Sequence, residues 1–551
     1  MLYRKKTNIR NMENYEDLIL HLGLGKWNYL MVLFASWRSL LGPGQYMIGS
    51  FIHPSLNTSC NSPPSAILNA SYADHIDVFG SYQCAIGALY VEQSCWVLLW
   101  YRDIFWLTVK NEDFNLACDT QYLGATFTGI YMMANGIGGV INGLFCDLYG
   151  RKRMFVIGQA LFCINLIIPW LPGITSILIC RTIGGFGAGC VGDTLSILLM
   201  ESLVARQRPT ISVVVWLPWV FGMAILGGLG FLIRDWRTLY MMVTLPYALI
   251  IPAMWMLDES PRWLVTMGKQ KEALKVLNKV ARWHGKQLPP ENEIKNVFEV
   301  TRNKKHDEVE LASQGFMKLA VLFFTRFYLL IKTPMMRRVT FVSCYNFMAM
   351  GLFYFGLSLS GVHYSNDPFL YMVLSGVVDL PSTVVPAPMA LRFGRKKSSI
   401  FCFAMSGLLL LPLPFVSKDQ MWLTMTLALS AKSCGGVAWA VFHLQVTELY
   451  PTNMRVLGLA VPNAFVSFTA TLAAYIHEIL SPLAVWAPSI MFSMCSLVAA
   501  AAVLSLPDTS DKTMPNTIAE LEEMCTISRS KKKHSIVAND DTQMDLLNGK
   551  V

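Results

Sequence analysis

The chain has 551 residues, 54% of them apolar and only 15% charged, with a formal net charge of +9 and a mean hydropathy of +0.42. A water-soluble domain rarely carries so little charge, so the composition excludes an ordinary soluble globular protein and points to a polytopic membrane protein. The positive charge is concentrated between the apolar runs, which argues against nucleic-acid binding. No G-x-x-x-x-G-K-[ST] loop occurs, so no nucleotide site, and with it no cofactor, is expected.

Residues 1–25 read as a polar lead with a short amphipathic piece, Tyr15–Leu24. Met1–Arg10 is basic but no apolar core follows it, so no cleavable signal is expected. Apolar runs near 26–47, 122–146, 154–172, 176–202, 211–231 and 238–257 predict six spans. Six more fall near 339–360, 368–390, 399–417, 421–447, 456–477 and 482–506. Each is long enough, or nearly so, to cross a hydrocarbon core of about 30 Å. The expected fold is therefore all-α, with twelve transmembrane helices in two six-helix bundles, 26–257 and 339–506, and the bilayer as its first partner.

Two insertions interrupt this order. Residues 48–120 follow the first span and hold two glycan acceptor triplets, at Asn57 and Asn69, together with Cys60, Cys84, Cys95 and Cys118. An even set of cysteines in an exported loop is consistent with two disulfides in any of three connectivities, the plainer alternative being free thiols. Trp96–Leu107 is apolar but carries Arg102 and Asp103, which suits an ectodomain core better than a span. Residues 258–338 form a basic linker with helical patterning over Lys269–His284 and Glu291–Asn303. The tail, 507–551, is polar and expected to be largely unstructured, with Ser528 and Ser530 beside Lys531–Lys533 as phosphorylation candidates.

A charged knot, Gly143-Leu-Phe-Cys-Asp-Leu-Tyr-Gly-Arg-Lys-Arg153, separates the second and third runs. Gly150 lets the chain turn tightly, Arg151 and Lys152 place the knot on the cytoplasmic side, and Asp147 sits one turn before Arg151. The knot recurs at Leu391-Arg-Phe-Gly-Arg-Lys-Lys397, where Gly394 and Arg395 take the places of Gly150 and Arg151. A second echo pairs Glu201 and Arg208 with Glu448 and Arg455. Two echoes at nearly one offset argue for duplicated halves related by an axis along the membrane normal. Arg206, Arg208, the linker, Arg392–Lys397 and Lys531–Lys533 all fall on the knots' side; Arg234 and Arg237 fall on the other.

The knot Gly143–Lys152 matches in full the inner-loop motif G-x-x-x-D-x-x-G-R-[KR], so the chain resembles the major facilitator superfamily. Further motifs resemble its organic cation, anion and zwitterion branch, solute carrier family 22. They are Asn115-Leu-Ala-Cys-Asp119, Arg181-Thr-Ile-Gly-Gly-Phe-Gly187, Ile233-Arg-Asp-Trp-Arg237 and Glu259-Ser-Pro-Arg-Trp-Leu264, followed by Phe353-Tyr-Phe-Gly-Leu-Ser358, Val378-Asp-Leu-Pro381 and Glu448-Leu-Tyr-Pro-Thr-Asn-Met-Arg455. Leu506-Pro-Asp-Thr509 and Pro515-Asn-Thr-Ile518 resemble the end of that family's last span. The resemblance covers residues 14 to about 523. It implies transport of a small organic solute by alternating access at a plasma membrane, with both termini cytoplasmic and no enzymatic step. Uniport, exchange and coupling to an ion remain equally open. The knot around Asp147 and Arg151 would then act as an inner latch. A sugar or neutral-solute porter is the nearest alternative, and a non-transporting receptor or scaffold the next.

Ionisable residues inside spans are costly and invite a functional reading. The chain offers Arg181, Asp193, Asp379, Lys432 and His443. For Arg181 a structural pairing is the better expectation, and for His443 a satisfied polar role; Asp379 and Lys432 suit cargo contact and helix pairing equally. Asp193 would draw cations if it faced a cavity. Trp216, Trp219, Tyr345, Phe353, Tyr354 and Trp439 could line such a cavity by stacking or cation–π attraction, Tyr354 foremost. The resemblance implies charge-selecting positions at Ser467 and Thr383, and both are uncharged here.

Overall fold

The computed structural model describes residues 15–52, 122–303 except 205, 206, 234 and 252, then 325, 327–365, 367–417, 420–451, 454–480, 486–509 and 518–522. Asn57, Asn69, Cys60, Cys84, Cys95 and Cys118 lie outside the described residues, as does nearly all of the tail. Among the described residues there are helices and no strands. A short helix α1 (Tyr15–Leu22) meets α2 (Lys26–Met47) at 97°. Then come α3 (Tyr122–Tyr149), α4 (Arg151–Cys163, tightening to a 3-10 helix as far as Trp170), α5 (Ile174–Ser202) and α6 (Arg208–Leu232). Helix α7 (Trp236–Thr244) continues as 3-10 turns over Leu245–Ile250 and a last turn, Ala253–Met256.

The linker forms α8 (Pro261–Thr266), α9 (Gln270–His284) and α10 (Glu291–Asn303), close to the expected ranges. The second half holds α11 (Pro334–Leu359), α12 (Pro368–Val384), α13 (Pro386–Phe393), α14 (Arg395–Leu410), α15 (Met421–Leu449), α16 (Arg455–Leu480) and α17 (Ala487–Leu504). Among the described residues nine helical segments are long and apolar enough to cross a bilayer, or ten if the bent α1–α2 pair counts as one crossing. The break between α12 and α13 falls just before Pro386, whose ring cannot continue the hydrogen-bond ladder.

The packing repeats between halves. Helix α2 lies on α6 as α11 lies on α16; α3 lies on α5 as α12 lies on α15; α4 lies on α5 as α14 lies on α15. Two seams join the halves, α3 with α16 and α6 with α12, and each is the image of the other under the same exchange. Small residues allow these approaches. A Cβ on Gly189 would stand 2.2 Å from the carbonyl oxygen of Asn135, and one on Gly222 would stand 2.0 Å from that of Leu40. Large apolar side chains such as Trp170, Leu232, Phe415 and Trp422 point outward, whereas Gln45, Asn142, Asn165, Arg181 and Lys432 are buried. In hydrocarbon an outward apolar face is favourable and inward polar groups must find partners.

The amphipathic helices α9 and α10 bury Leu277, Ile294 and Phe298 against the first half, in the cluster that also holds Trp27 and Trp263. Helix α1 docks on them: His284 Nδ1 lies 3.0 Å from the carbonyl oxygen of Leu22, and His21 Nε2 lies 3.1 Å from that of Gln287. The linker thus forms a layer under the first half, on the side of the knots.

Candidate functional site

The two knots share one geometry. The expected loop between the second and third spans is a single residue: α3 runs to Tyr149 and α4 starts at Arg151. The helices run three residues further into the knot than the expected ends, 146 and 154, and meet at the tight turn expected of Gly150. Gly150 (φ +98°) and Gly394 (φ +82°) take the whole reversal in a backbone region that side chains disfavour. The arginine after each glycine then reaches the glutamate ending the fourth helix of its own half. Arg151 Nη2 lies 3.1 Å from Glu201 Oε1, and Arg395 Nη2 lies 3.1 Å from Glu448 Oε1. Arg208 instead donates to the Leu203 carbonyl at 3.2 Å and approaches Glu16 at 3.6 Å. The side chains of Asp147 and Arg455 lie outside the described residues.

Glu259 completes the first knot. Its carboxylate accepts the backbone N–H groups of Arg151 at 2.9 Å and Lys152 at 3.1 Å, where α4 begins and its dipole favours negative charge. Burial pushes the Glu259 carboxyl above its ordinary range, opposed by those bonds and one from Ser260 N–H. Lys152, Arg153, Trp263 and Lys269 line a cavity of about 520 Å³ beside it.

The seam between α3 and α16 shows which way the cleft opens. Gly129, Gly136 and Gly143 recur every two turns on one face of α3. A Cβ on Gly129 would meet Tyr475 at 3.1 Å, and one on Gly136 would meet Ser467 at 2.3 Å. On Gly143, nearest the knot, it would meet nothing within 4 Å among the described residues. Tyr475 Oη donates to Thr126 Oγ1 at 3.0 Å and Thr471 Oγ1 to the Gly129 carbonyl at 3.1 Å, closing the far end. The second seam is closed there too. Phe369 of α12 stacks on Phe51 at 5.3 Å with rings 3° apart, and meets Phe231 edge-on at 6.1 Å. The halves touch away from the knots and part toward them.

At the floor of this cleft a polar chain crosses from one half to the other. Trp219 Nε1 donates to Tyr354 Oη at 3.1 Å, and Tyr354 Oη donates to Asp379 Oδ2 at 2.8 Å. The same carboxylate oxygen accepts from Lys432 Nζ at 2.9 Å. Lys432 also reaches Ser375 Oγ and stands 4.6 Å above the Tyr354 ring. The Asp379 and Lys432 side chains are 3% and 0% exposed, so this pair is sealed. Of the residues singled out in the sequence, Tyr354, Asp379 and Lys432 are brought together, with Trp219 across the interface. Trp216 is exposed and touches Trp219 edge-on at 6.2 Å.

Arg181, for which a structural pairing was expected, lies among partners of its own half. It is fully buried, donates to Gln45 Oε1 at 3.0 Å and Tyr240 Oη at 3.2 Å, and lies over the rings of Tyr131 and Phe127 at 4.1 and 4.6 Å. His443 sits between the rings of Phe347 and Trp439. Ser467 packs into the α3–α16 seam against Gly136, and Thr383 Oγ1 returns to the Asp379 carbonyl at 3.2 Å. Asp193 is exposed, and one oxygen occupies the space that a side chain on Gly139 would need.

Two residues beside the cleft went unread in the sequence. Arg38, thirteenth of the 22 residues of α2, lies over Gly192 and donates to the Ala188 carbonyl at 3.3 Å. Tyr46 donates to Asn135 Oδ1 at 2.9 Å and packs on Trp219 and Phe355 at 5.7 and 5.9 Å. An arginine in mid-span is itself the signal that could have marked Arg38.

Comparison with known proteins agrees with this architecture. Residues 85–517 match the family model described as "Sugar (and other) transporter". Organic anion transporter 3 of Homo sapiens is 26% identical over 79% of this chain and 78% of its own length. The organic cation transporter protein of Drosophila melanogaster is 29% identical over 74% of this chain and 73% of its own. Among solved structures, the inward open conformation of the xylose transporter XylE from E. coli covers 91% of this chain and 100% of its own with TM-score 0.58 at 17% identity. Its partially occluded inward open conformation covers 88% and 100% with TM-score 0.56 at 16% identity.

Proposed function

The chain belongs to the sugar (and other) transporter family, and on that premise we propose that it carries small organic ions across a plasma membrane by alternating access. The observation that carries this reading is the cleft. Its seam is packed at Gly129 and Gly136 and open at Gly143, above a floor of Trp219, Tyr354, Asp379 and Lys432. Rocking the halves about that floor would close the knot side and part the aromatic contacts around Phe369, exposing the same site to the other side. Curated relatives named as organic anion and organic cation transporters support an organic ion as cargo.

In this reading α2, α3 and the α7 segment supply three crossings beside the nine long apolar ones, giving twelve in two sixes. The knots, linker and both termini face the cytoplasm, where Arg151, Lys152, Arg153 and Arg395–Lys397 satisfy the positive-inside rule. The loop within 48–120 is then extracellular, glycosylated at Asn57 and Asn69 and bridged among Cys60, Cys84, Cys95 and Cys118.

The test is uptake in cells expressing the chain, with labelled L-carnitine, tetraethylammonium and benzoate in parallel. Saturable uptake of at least one, above that of control cells, is expected. No uptake of any of the three, with the protein detected at the surface, would overturn the reading.

A further inference from the structure

Among the described residues, Arg38 and Asp193 are two charges of opposite sign on neighbouring helices, α2 and α5. Asp379 and Lys432 neutralise each other at 2.9 Å out of reach of solvent. Arg181 is spent on Gln45 and Tyr240, and Ser467 and Thr383 bring no charge. Arg38 and Asp193 differ from all of these. The Arg38 guanidinium lies against Gly192, whose missing side chain makes room for it, so it rests on the residue immediately before Asp193. Asp193 is exposed between Gly192 and Thr194, both buried, and Gly139 leaves space for its carboxylate. The two charges stand on packed helices, α2 and α5, and Tyr46 follows Arg38 by two turns on α2. Among the described residues they make no direct ion pair.

An amide donor adds a third point. Asn135 accepts the Tyr46 hydroxyl through Oδ1, while its buried Nδ2 has no partner among the described residues. The Tyr46 ring leans on Trp219 and Phe355 and meets Tyr131 edge-on at 5.5 Å. Trp219 in turn bonds Tyr354. An anionic group, a cationic group and a free amide donor therefore lie along one aromatic wall that spans both halves.

We infer that Arg38 and Asp193 form a two-signed recognition pair selecting a zwitterion, its ammonium at Asp193 and its carboxylate at Arg38. A singly charged ion would satisfy one of these groups and leave the other uncompensated, which is costly at the depth of a membrane. A zwitterion satisfies both, and its ammonium can also face the Tyr46 ring. The Asn135 Nδ2 group supplies a second donor for the carboxylate. This deepens the transport reading and rests on it.

The experiment is binding of L-carnitine, tetraethylammonium and benzoate to the purified full-length protein, with flux of each into proteoliposomes measured alongside. Wild type should prefer L-carnitine. Asp193→Asn should weaken L-carnitine about ten- to a hundredfold and shift preference toward benzoate. Arg38→Gln should weaken it similarly and shift preference toward tetraethylammonium. Asp193→Glu and Arg38→Lys keep the charges and should keep the wild-type order, which controls for misfolding. A wild type without preference for L-carnitine, or two neutralised variants that depress all three probes equally, would overturn the inference. Binding with crossed selectivity but no flux would instead overturn the transport reading and leave the pair standing.

Discussion

Replacing Asp379 by asparagine would leave the Lys432 ammonium buried with only Ser375 and the Tyr354 ring to face. Removing one partner of a buried ion pair costs about 3–5 kcal/mol, because the orphaned charge stays dehydrated. With exposures of 0% and 3% there is little solvent screening to reduce this. Asparagine can still accept one bond, so the lower end, about 3 kcal/mol, is expected. Lys432→Met should cost about as much, since the carboxylate retains the Tyr354 hydroxyl but loses its counter-charge. The double variant carries no orphan charge and should lie within about 1 kcal/mol of wild type, a non-additivity of several kcal/mol. Unfolding of the detergent-solubilised protein, followed for the two singles and the double, measures this directly. Additive losses in the double variant, or single losses below about 1 kcal/mol, would refute the reasoning that the pair is sealed and self-compensating.

Three further outcomes follow from the same geometry. Arg151→Ala and Arg395→Ala each break a charge-assisted bond to Glu201 or Glu448 and should destabilise by about 1.5–3 kcal/mol; uptake should fall while surface delivery, checked by biotinylation, persists. Phe369→Ala removes two aromatic contacts between the halves, each worth about 0.5–1.5 kcal/mol. Cysteines placed on the face away from the knots should then label several-fold faster. Gly150→Ala forces a side chain into φ +98° and toward Glu259 Oε2, 2.4 Å away, so thermal stability should drop well beyond the loss from a change at Gly143.

Several helix positions were legible because apolar run length is a one-dimensional property. The first span was expected over 26–47, and α2 covers Lys26–Met47. Gly150 with Arg151 and Gly394 with Arg395 were legible because a turn glycine and an adjacent cation make a local signature. Their partners were harder. Glu201, fifty residues on from Arg151, takes its guanidinium through the packing of α4 on α5. The meeting of Tyr354, Asp379 and Lys432 likewise depends on how α11, α12 and α15 cross. Arg38 was hidden by lying in no recognisable motif. Its relation to Asp193 depends on Gly192, which sequence alone cannot place beneath a guanidinium.

For solute to cross, the two halves must close along the α3–α16 seam. Tryptophan at Gly143 has open space in the cleft-open form, with nothing within 4 Å of its Cβ among the described residues, but would wedge the seam when that end closes. The decisive measurement is the initial rate of L-carnitine, tetraethylammonium and benzoate entry into proteoliposomes holding wild type or Gly143→Trp, with binding of the same probes to each purified protein. Flux by wild type, and binding without flux by Gly143→Trp, is the expected result. A Gly143→Trp protein that carries solute at the wild-type rate would contradict the account.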